Sequence, residues 1–122
     1  MIRLLWLAVA LVAAAAHALA DEPGPGAAEL QKCKICHALV AGGGNRVGPD
    51  LHGIFGRPAG TAPGFAYSPA LKASGIVWDD ETLAKFLRDP KDAVPGNRMS
   101  FPGIADEATL RALLQQLKQA TQ

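Results

Sequence analysis

The sequence predicts a small all-α domain in which short helices and long loops wrap around one bound group. Three observations carry that expectation. No alternating apolar and polar run long enough for a strand occurs, so a sheet architecture has no source. Leu110, Leu113, Leu114 and Leu117 stand at i, i+3, i+4 and i+7, which puts one apolar stripe along a helix. Between Val40 and Thr61, seven glycines (Gly42, Gly43, Gly44, Gly48, Gly53, Gly56, Gly60) with Pro49 and Pro58 forbid long regular elements. A loop of that length is out of place in a compact domain unless it encloses something.

The stretch Cys33-Lys34-Ile35-Cys36-His37 says what is enclosed. Two cysteines separated by two residues and followed by histidine form the attachment signature of c-type haem. Three residues is close to one helical turn, so both sulfurs project from one side of a helix and can each bond to a haem vinyl group. The adjacent histidine is placed to reach the iron as proximal ligand. Rival readings are weaker. A dithiol redox centre usually sits beside a βαβ pattern, which is missing here. A zinc site from Cys33, Cys36, His37 and His52 has enough ligands by count, but adjacent Cys-His ligation fits poorly with the separated pairs of structural sites. A disulfide across two residues is the remaining alternative.

The first residues read as an export leader. Arg3 gives a positive start, Leu4 to Ala16 is almost unbroken apolar sequence, and Ala18-Leu19-Ala20 has the form of a cleavage site. A retained membrane anchor would need roughly 20 apolar residues, and His17 interrupts this run early. Residues 1–20 are thus expected to be a cleaved signal peptide and 21–122 the single working domain, located in the periplasm. Arg3 leaves with the leader, so the 12 basic residues fall to 11 and equal the 11 acidic ones. A formally neutral chain gives no support to nucleic-acid binding. Both cysteines belong to the attachment motif, so no structural disulfide is expected.

Along the chain, Asp21 to Gly26 is rich in helix breakers, so a first helix is expected only from Ala27 to about Ile35. It is polar at Glu29, Gln31 and Lys32 and has little apolar face of its own. Ser68-Pro69 reads as an N-cap with proline at the first helical position, and Gly75 as the stop. Asp79 or Asp80 caps a helix to about Arg88 with Leu83, Phe86 and Leu87 on one face, ended by Pro90. A short turn from Lys91 to Val94 follows. The last helix, capped by Asp106, is expected to pack its leucine stripe on the first helix.

With the leader gone, Met99 is the remaining methionine, in Pro95-Gly96-Asn97-Arg98-Met99-Ser100-Phe101-Pro102-Gly103, a loop bracketed by two Pro-Gly turns. A loop methionine is an odd choice for filling a core. From about Lys32 onward the chain resembles the class I cytochromes c of the mitochondrial and bacterial c2 type. The resemblance lies in the attachment motif, in Val47-Gly48-Pro49-Asp50-Leu51-His52-Gly53-Ile54-Phe55-Gly56-Arg57, in Ala62-Pro63-Gly64-Phe65-Ala66-Tyr67, in Gly75-Ile76-Val77-Trp78 and in Pro95-Gly96-Asn97-Arg98-Met99.

That resemblance implies a class I cytochrome c fold around one haem c, covalent through Cys33 and Cys36, with His37 and Met99 as the iron ligands. His52 matches a surface histidine that does not bind iron. Pro49 matches the residue whose carbonyl accepts the proximal histidine's ring N–H; on its own it reads equally well as a loop proline. Arg57, Tyr67 and Trp78 match donors to the haem propionates, with Ser68 and Asn97 as lesser candidates. Without the match the aromatics read as core and Arg57 as a surface charge. Phe101 matches the aromatic beside the exposed haem edge. Phe86 and Leu71 depart from the pattern, standing where tyrosine and asparagine commonly support the methionine side. Glu29 and Gln116 stand where aromatics usually join the first and last helices, which predicts a weaker contact there.

The function implied is that of a soluble electron carrier, a monomer at most peripheral to the membrane, rather than an enzyme. Its partners would be redox proteins: quinol-cytochrome c reductase, a terminal oxidase, a photosynthetic reaction centre or a periplasmic dehydrogenase. Lys32, Arg46, Lys91 and Arg98 match positions ringing the haem edge, a basic rim that would steer acidic partners. A dedicated acceptor for one periplasmic dehydrogenase is the alternative within that class. A haem-based ligand-binding or peroxidase-like protein, in which Met99 is displaced, is the competitor outside it.

Overall fold

A computed structural model describes residues 22–122, and the expected leader at 1–20 lies outside them. Five helices follow in order: α1 Pro25–Cys36, α2 Pro69–Lys72, α3 Asp80–Arg88, α4 Pro90–Ala93 and α5 Glu107–Ala120. No strand occurs among the described residues; Pro58 and Val77 form one isolated antiparallel bridge. The all-α expectation holds.

Local chemistry accounts for each start. Ser68 Oγ accepts the Leu71 N–H and Pro69 takes the first helical position of α2, where its missing N–H costs nothing. Asp79 caps α3 reciprocally: its carboxylate accepts from Thr82 N at 2.8 Å, and the Thr82 hydroxyl accepts from Asp79 N at 2.9 Å. Asp89 caps α4 and Asp106 caps α5 one way only, their carboxylates accepting from Asp92 N and Thr109 N. The turn expected at 91–94 is the four-residue helix α4.

The first helix departs from expectation. It begins at Pro25, not Ala27, because proline at the first position is compatible with a helix start. Those two residues bring Gly26 into the helix, where a Cβ would lie 2.5 Å from the Ala112 carbonyl carbon. Glycine is what lets α1 cross α5 at backbone distance. Leu30, one turn on, is buried in the core, whereas Glu29 pairs with Lys32 at 2.8 Å. Gly26 and Leu30 are the buried residues of α1.

The leucine stripe of α5 is buried as expected, with Leu110 and Leu113 at 0% exposure. Each such side chain contributes about 1.5–3 kcal/mol from burial. Leu83, Phe86 and Leu87 of α3 join the same core, along with Leu39, Ile54, Trp78, Val94 and Ile104 from the loops. Cys33, Leu71, Met99 and Phe101 are half-buried against its edge. The attachment motif and the methionine loop thus border one hydrophobic core.

Candidate haem site

His37 follows directly on α1 and takes extended backbone as its C-cap, which turns its side chain off the helix. Its Nδ1 lies 2.7 Å from the Pro49 carbonyl oxygen. A carbonyl only accepts, so Nδ1 carries the proton and Nε2 keeps its lone pair. Burial lowers the His37 pKa below the usual imidazole value, against the opposing pull of the Pro49 carbonyl; nearby Arg46 lowers it further. A neutral ring with Nε2 free is the form that binds a metal.

Gly48 completes the seat. A Cβ there would fall 2.6 Å from His37 Nδ1 and 2.8 Å from Nε2, so the imidazole lies flat against a position that only glycine can occupy. Two backbone bonds hold this glycine in register: its N–H donates to Cys36 O, and its carbonyl accepts from Arg46 N, each at 2.9 Å. Sequence reasoning treated Gly48 as one loop glycine among seven, since nothing local marks a ring packed on it.

Cys33 and Cys36 are both unbridged thiols. Burial, then the neighbouring Glu29, pushes the Cys33 thiol above its ordinary pKa. Reactive dithiol centres lower that value instead, which counts against the dithiol reading. No group of three or more His, Cys, Asp and Glu among the described residues could hold a metal ion, so Cys33, Cys36, His37 and His52 do not converge as a zinc site. His52 lines a separate hollow of about 310 Å³ with Asp50 and Arg57, and neither His37 nor Met99 borders it.

The candidate propionate donors divide by how they are spent. Arg57 donates to His52 O at 3.1 Å and Asp50 O at 3.0 Å, which fixes the guanidinium with donors to spare. The Tyr67 hydroxyl accepts the Ala62 N–H at 3.0 Å, leaving its own proton to donate. Ser68, also buried, is in the same position after capping α2. Trp78 is 5% exposed. Its backbone pairs with that of Arg57 at 3.0 Å, so the two share one corner. The unspent donors of Arg57, Tyr67 and Ser68 suit a carboxylate-bearing prosthetic group, and with the unbridged Cys33 and Cys36 and the free Nε2 of His37 the residues present fit a haem.

Asn97 is spent differently: its amide donates to Pro90 O at 2.8 Å and Val94 O at 2.9 Å, and its carbonyl accepts from Met99 N at 3.0 Å. Phe86 packs on Trp78 with ring centroids 5.1 Å apart. Phe101, like Met99, is half-buried against the core.

Two further residues escaped the sequence reading. Asn45 donates to Pro63 O at 2.8 Å and accepts from Asp50 N at 3.0 Å, strapping the loop that holds Pro49 to the loop that leads to Tyr67. Arg46, expected only as a rim charge, donates to the carbonyls of Lys34 at 3.0 Å and Ile35 at 3.1 Å and so closes the end of α1. The Asn45–Pro63 contact and both Arg46 contacts span more than ten residues, beyond any local signal.

An attachment helix that ends in an imidazole with Nε2 free, on a core that Cys33 and Met99 both border, marks a c-type haem domain. The chain belongs to the class I c-type cytochromes, which are electron-transfer proteins rather than enzymes. It is 43% identical over 109 residues to a cytochrome c2 of Blastochloris viridis, covering 89% of this chain and 86% of that one. It is 48% identical over 86 residues to cytochrome c2 iso-2 of Magnetospirillum fulvum, covering 70% and 88% respectively. Among solved structures, cytochrome cH from Methylobacterium extorquens superposes with a TM-score of 0.72 at 43% identity, covering 78% of this chain and 95% of that one. No family model matches the chain.

Proposed function

We propose that this chain is a soluble periplasmic carrier that moves single electrons through a haem c attached at Cys33 and Cys36, with His37 and Met99 on the iron. Haem c, when bound, supplies a one-electron ferric/ferrous couple. The chain's residues do the rest. Pro49 and Gly48 hold the His37 ring in one tautomer and orientation, so the ligand need not reorganise between redox states. Arg57, Tyr67, Ser68 and Trp78 offer donors to the propionates. Leu71 and Phe86 leave the methionine side apolar, which favours the less charged ferrous state, while the loss of a hydrogen-bond donor to the sulfur acts in the opposite direction. With His37 and Met99 both holding the iron, no site would be open to oxygen or peroxide.

The observation that carries this reading is the 2.7 Å bond from His37 Nδ1 to Pro49 O, which leaves Nε2 as the free donor. Export by the leader at 1–20 places the carrier in the periplasm. There it would exchange electrons with a quinol-cytochrome c reductase and with a terminal oxidase, a photosynthetic reaction centre or a periplasmic dehydrogenase, working as a monomer. Lys91 and Arg98 form no ion pair with the described residues and are the candidates for steering, while Lys32 is paired with Glu29. The test is a spectroelectrochemical titration of the exported holoprotein. A single one-electron wave is expected, together with a weak ferric band at the red edge of the spectrum that Met99→Ala abolishes. A two-electron dithiol wave, or a spectrum indifferent to Met99→Ala, would overturn the proposal.

A further inference from the structure

We infer that Asn97 is the positioning residue that presents Met99 to the iron, not a propionate donor; the inference rests on Met99 being the sixth ligand. The loop from Val94 to Gly103 holds no regular structure, and a half-buried methionine on such a loop would otherwise sample many positions. Asn97 removes that freedom. Both of its contacts toward α4 use the amide nitrogen, to Pro90 O at 2.8 Å and Val94 O at 2.9 Å. Those carbonyls stand at the two ends of α4: Pro90 O also accepts the Val94 N–H at 3.0 Å, and Val94 O the Asn97 backbone N–H at 3.1 Å, so the amide joins bonds that already fix the turn. The anchor is firm: Pro90 is among the most completely buried side chains, Val94 is 4% exposed, and Asp89 caps the helix start. The remaining polar atom, Oδ1, accepts the Met99 N–H at 3.0 Å. One side chain therefore links the ligand's own backbone to the buried end of α4. Its amide protons are committed to those carbonyls and are not aimed at a propionate.

Beyond Met99 the chain is tied down again where Ile104 N–H donates to Leu87 O at 3.0 Å. The methionine thus hangs between two anchors on the α3–α4 region, of which Asn97 is the nearer. Removing it leaves the sulfur free to leave the iron without unfolding the core, so an added ligand competes better.

The test titrates the ferric holoprotein with imidazole and follows the visible spectrum for the parent, Asn97→Ala, Asn97→Asp, Met99→Ala and, as a control, the exposed Ser100→Ala. The expected result is about tenfold tighter imidazole binding in Asn97→Ala, equivalent to about 1.4 kcal/mol, with a weakened red-edge band and unchanged helical circular dichroism. Ser100→Ala should match the parent. Asn97→Asp keeps the acceptor for Met99 N–H but loses both donors, so it should fall between parent and alanine variant. It also carries the test if Asn97→Ala fails to take up haem. Parent-like imidazole affinity in both Asn97 variants would overturn the inference. If Met99→Ala itself leaves the affinity and band unchanged, the sulfur-ligand reading fails instead, and the two failures are told apart.

Discussion

Replacing Gly48 by alanine probes the seat of the proximal histidine. The added methyl would stand 2.6 Å from His37 Nδ1 and 2.8 Å from Nε2, well inside van der Waals contact. The neighbour is an aromatic ring fixed at three points: by the helix end, by Pro49 and, in the holoprotein, by iron. It cannot swing away as a flexible side chain would. Either the ring tilts and lengthens its 2.7 Å bond to Pro49, or the 46–49 loop lifts and strains the bonds of Gly48 to Cys36 and Arg46. Leaving one buried polar pair poorly matched costs about 1–3 kcal/mol. Disturbing the partner of a metal-bound histidine typically costs about 10- to 100-fold in metal affinity, roughly 1.4–2.8 kcal/mol. A holoprotein destabilised by about 2–3 kcal/mol should melt roughly 10–20 °C lower, since each kcal/mol shifts the Tm of a domain this size by about 4–8 °C. The control is Gly24→Ala, where an added Cβ meets nothing within 4 Å. Thermal melts followed at the haem absorption band would show Gly48→Ala well below Gly24→Ala. Coincident melts and unchanged reduction potentials would refute the reasoning.

Gly26→Ala should lower the midpoint of guanidinium unfolding by an amount equivalent to about 1–3 kcal/mol, because its methyl meets the Ala112 backbone at the α1–α5 crossing; an unchanged midpoint would show that the helices can slide apart without cost. Asn45→Ala severs the strap between Asp50 and Pro63 and should cost about 1 kcal/mol in the same assay. Acid sensitivity has a traceable part. Backbone and then side-chain donors of Thr82 hold the Asp79 carboxyl below its usual range, and the Thr109 hydroxyl does the same for Asp106. A depressed folded-state pKa adds stability above the unfolded value and loses it as pH falls through the carboxylate range. Asp79→Asn with Asp106→Asn should therefore flatten the acid limb of the stability profile while leaving the neutral region near the parent. Association rates with an acidic redox partner, measured by stopped flow, should fall as salt rises, and Lys91→Ala with Arg98→Ala should make that slope shallower.

What could be read in the sequence was what is encoded locally. The caps at Ser68, Asp79 and Asp106, the leucine stripe and the attachment motif each lie within one or two helical turns, and the structure reproduces them. The start of α1 was misplaced by two residues, because Pro25 and Gly26 look like breakers until α5 is there to receive Gly26. The resemblance supplied Pro49, and the structure adds its geometry. Gly48, Asn45 and Arg46 stayed hidden for a common reason: each acts on a residue eleven or more positions away, so its meaning exists only after folding. Asn97 is the opposite case, a local residue whose neighbours were plain but whose two hydrogen-bonding ends could be assigned only in three dimensions.

The central claim is that His37 and Met99 hold one iron with little change between oxidation states. X-ray absorption at the iron edge of the exported protein, ferric and then ferrous, addresses it directly. The account predicts a single sulfur among nitrogen neighbours in both states, at nearly the same distances. A shell of nitrogens alone, or a sulfur that departs on reduction, would contradict it.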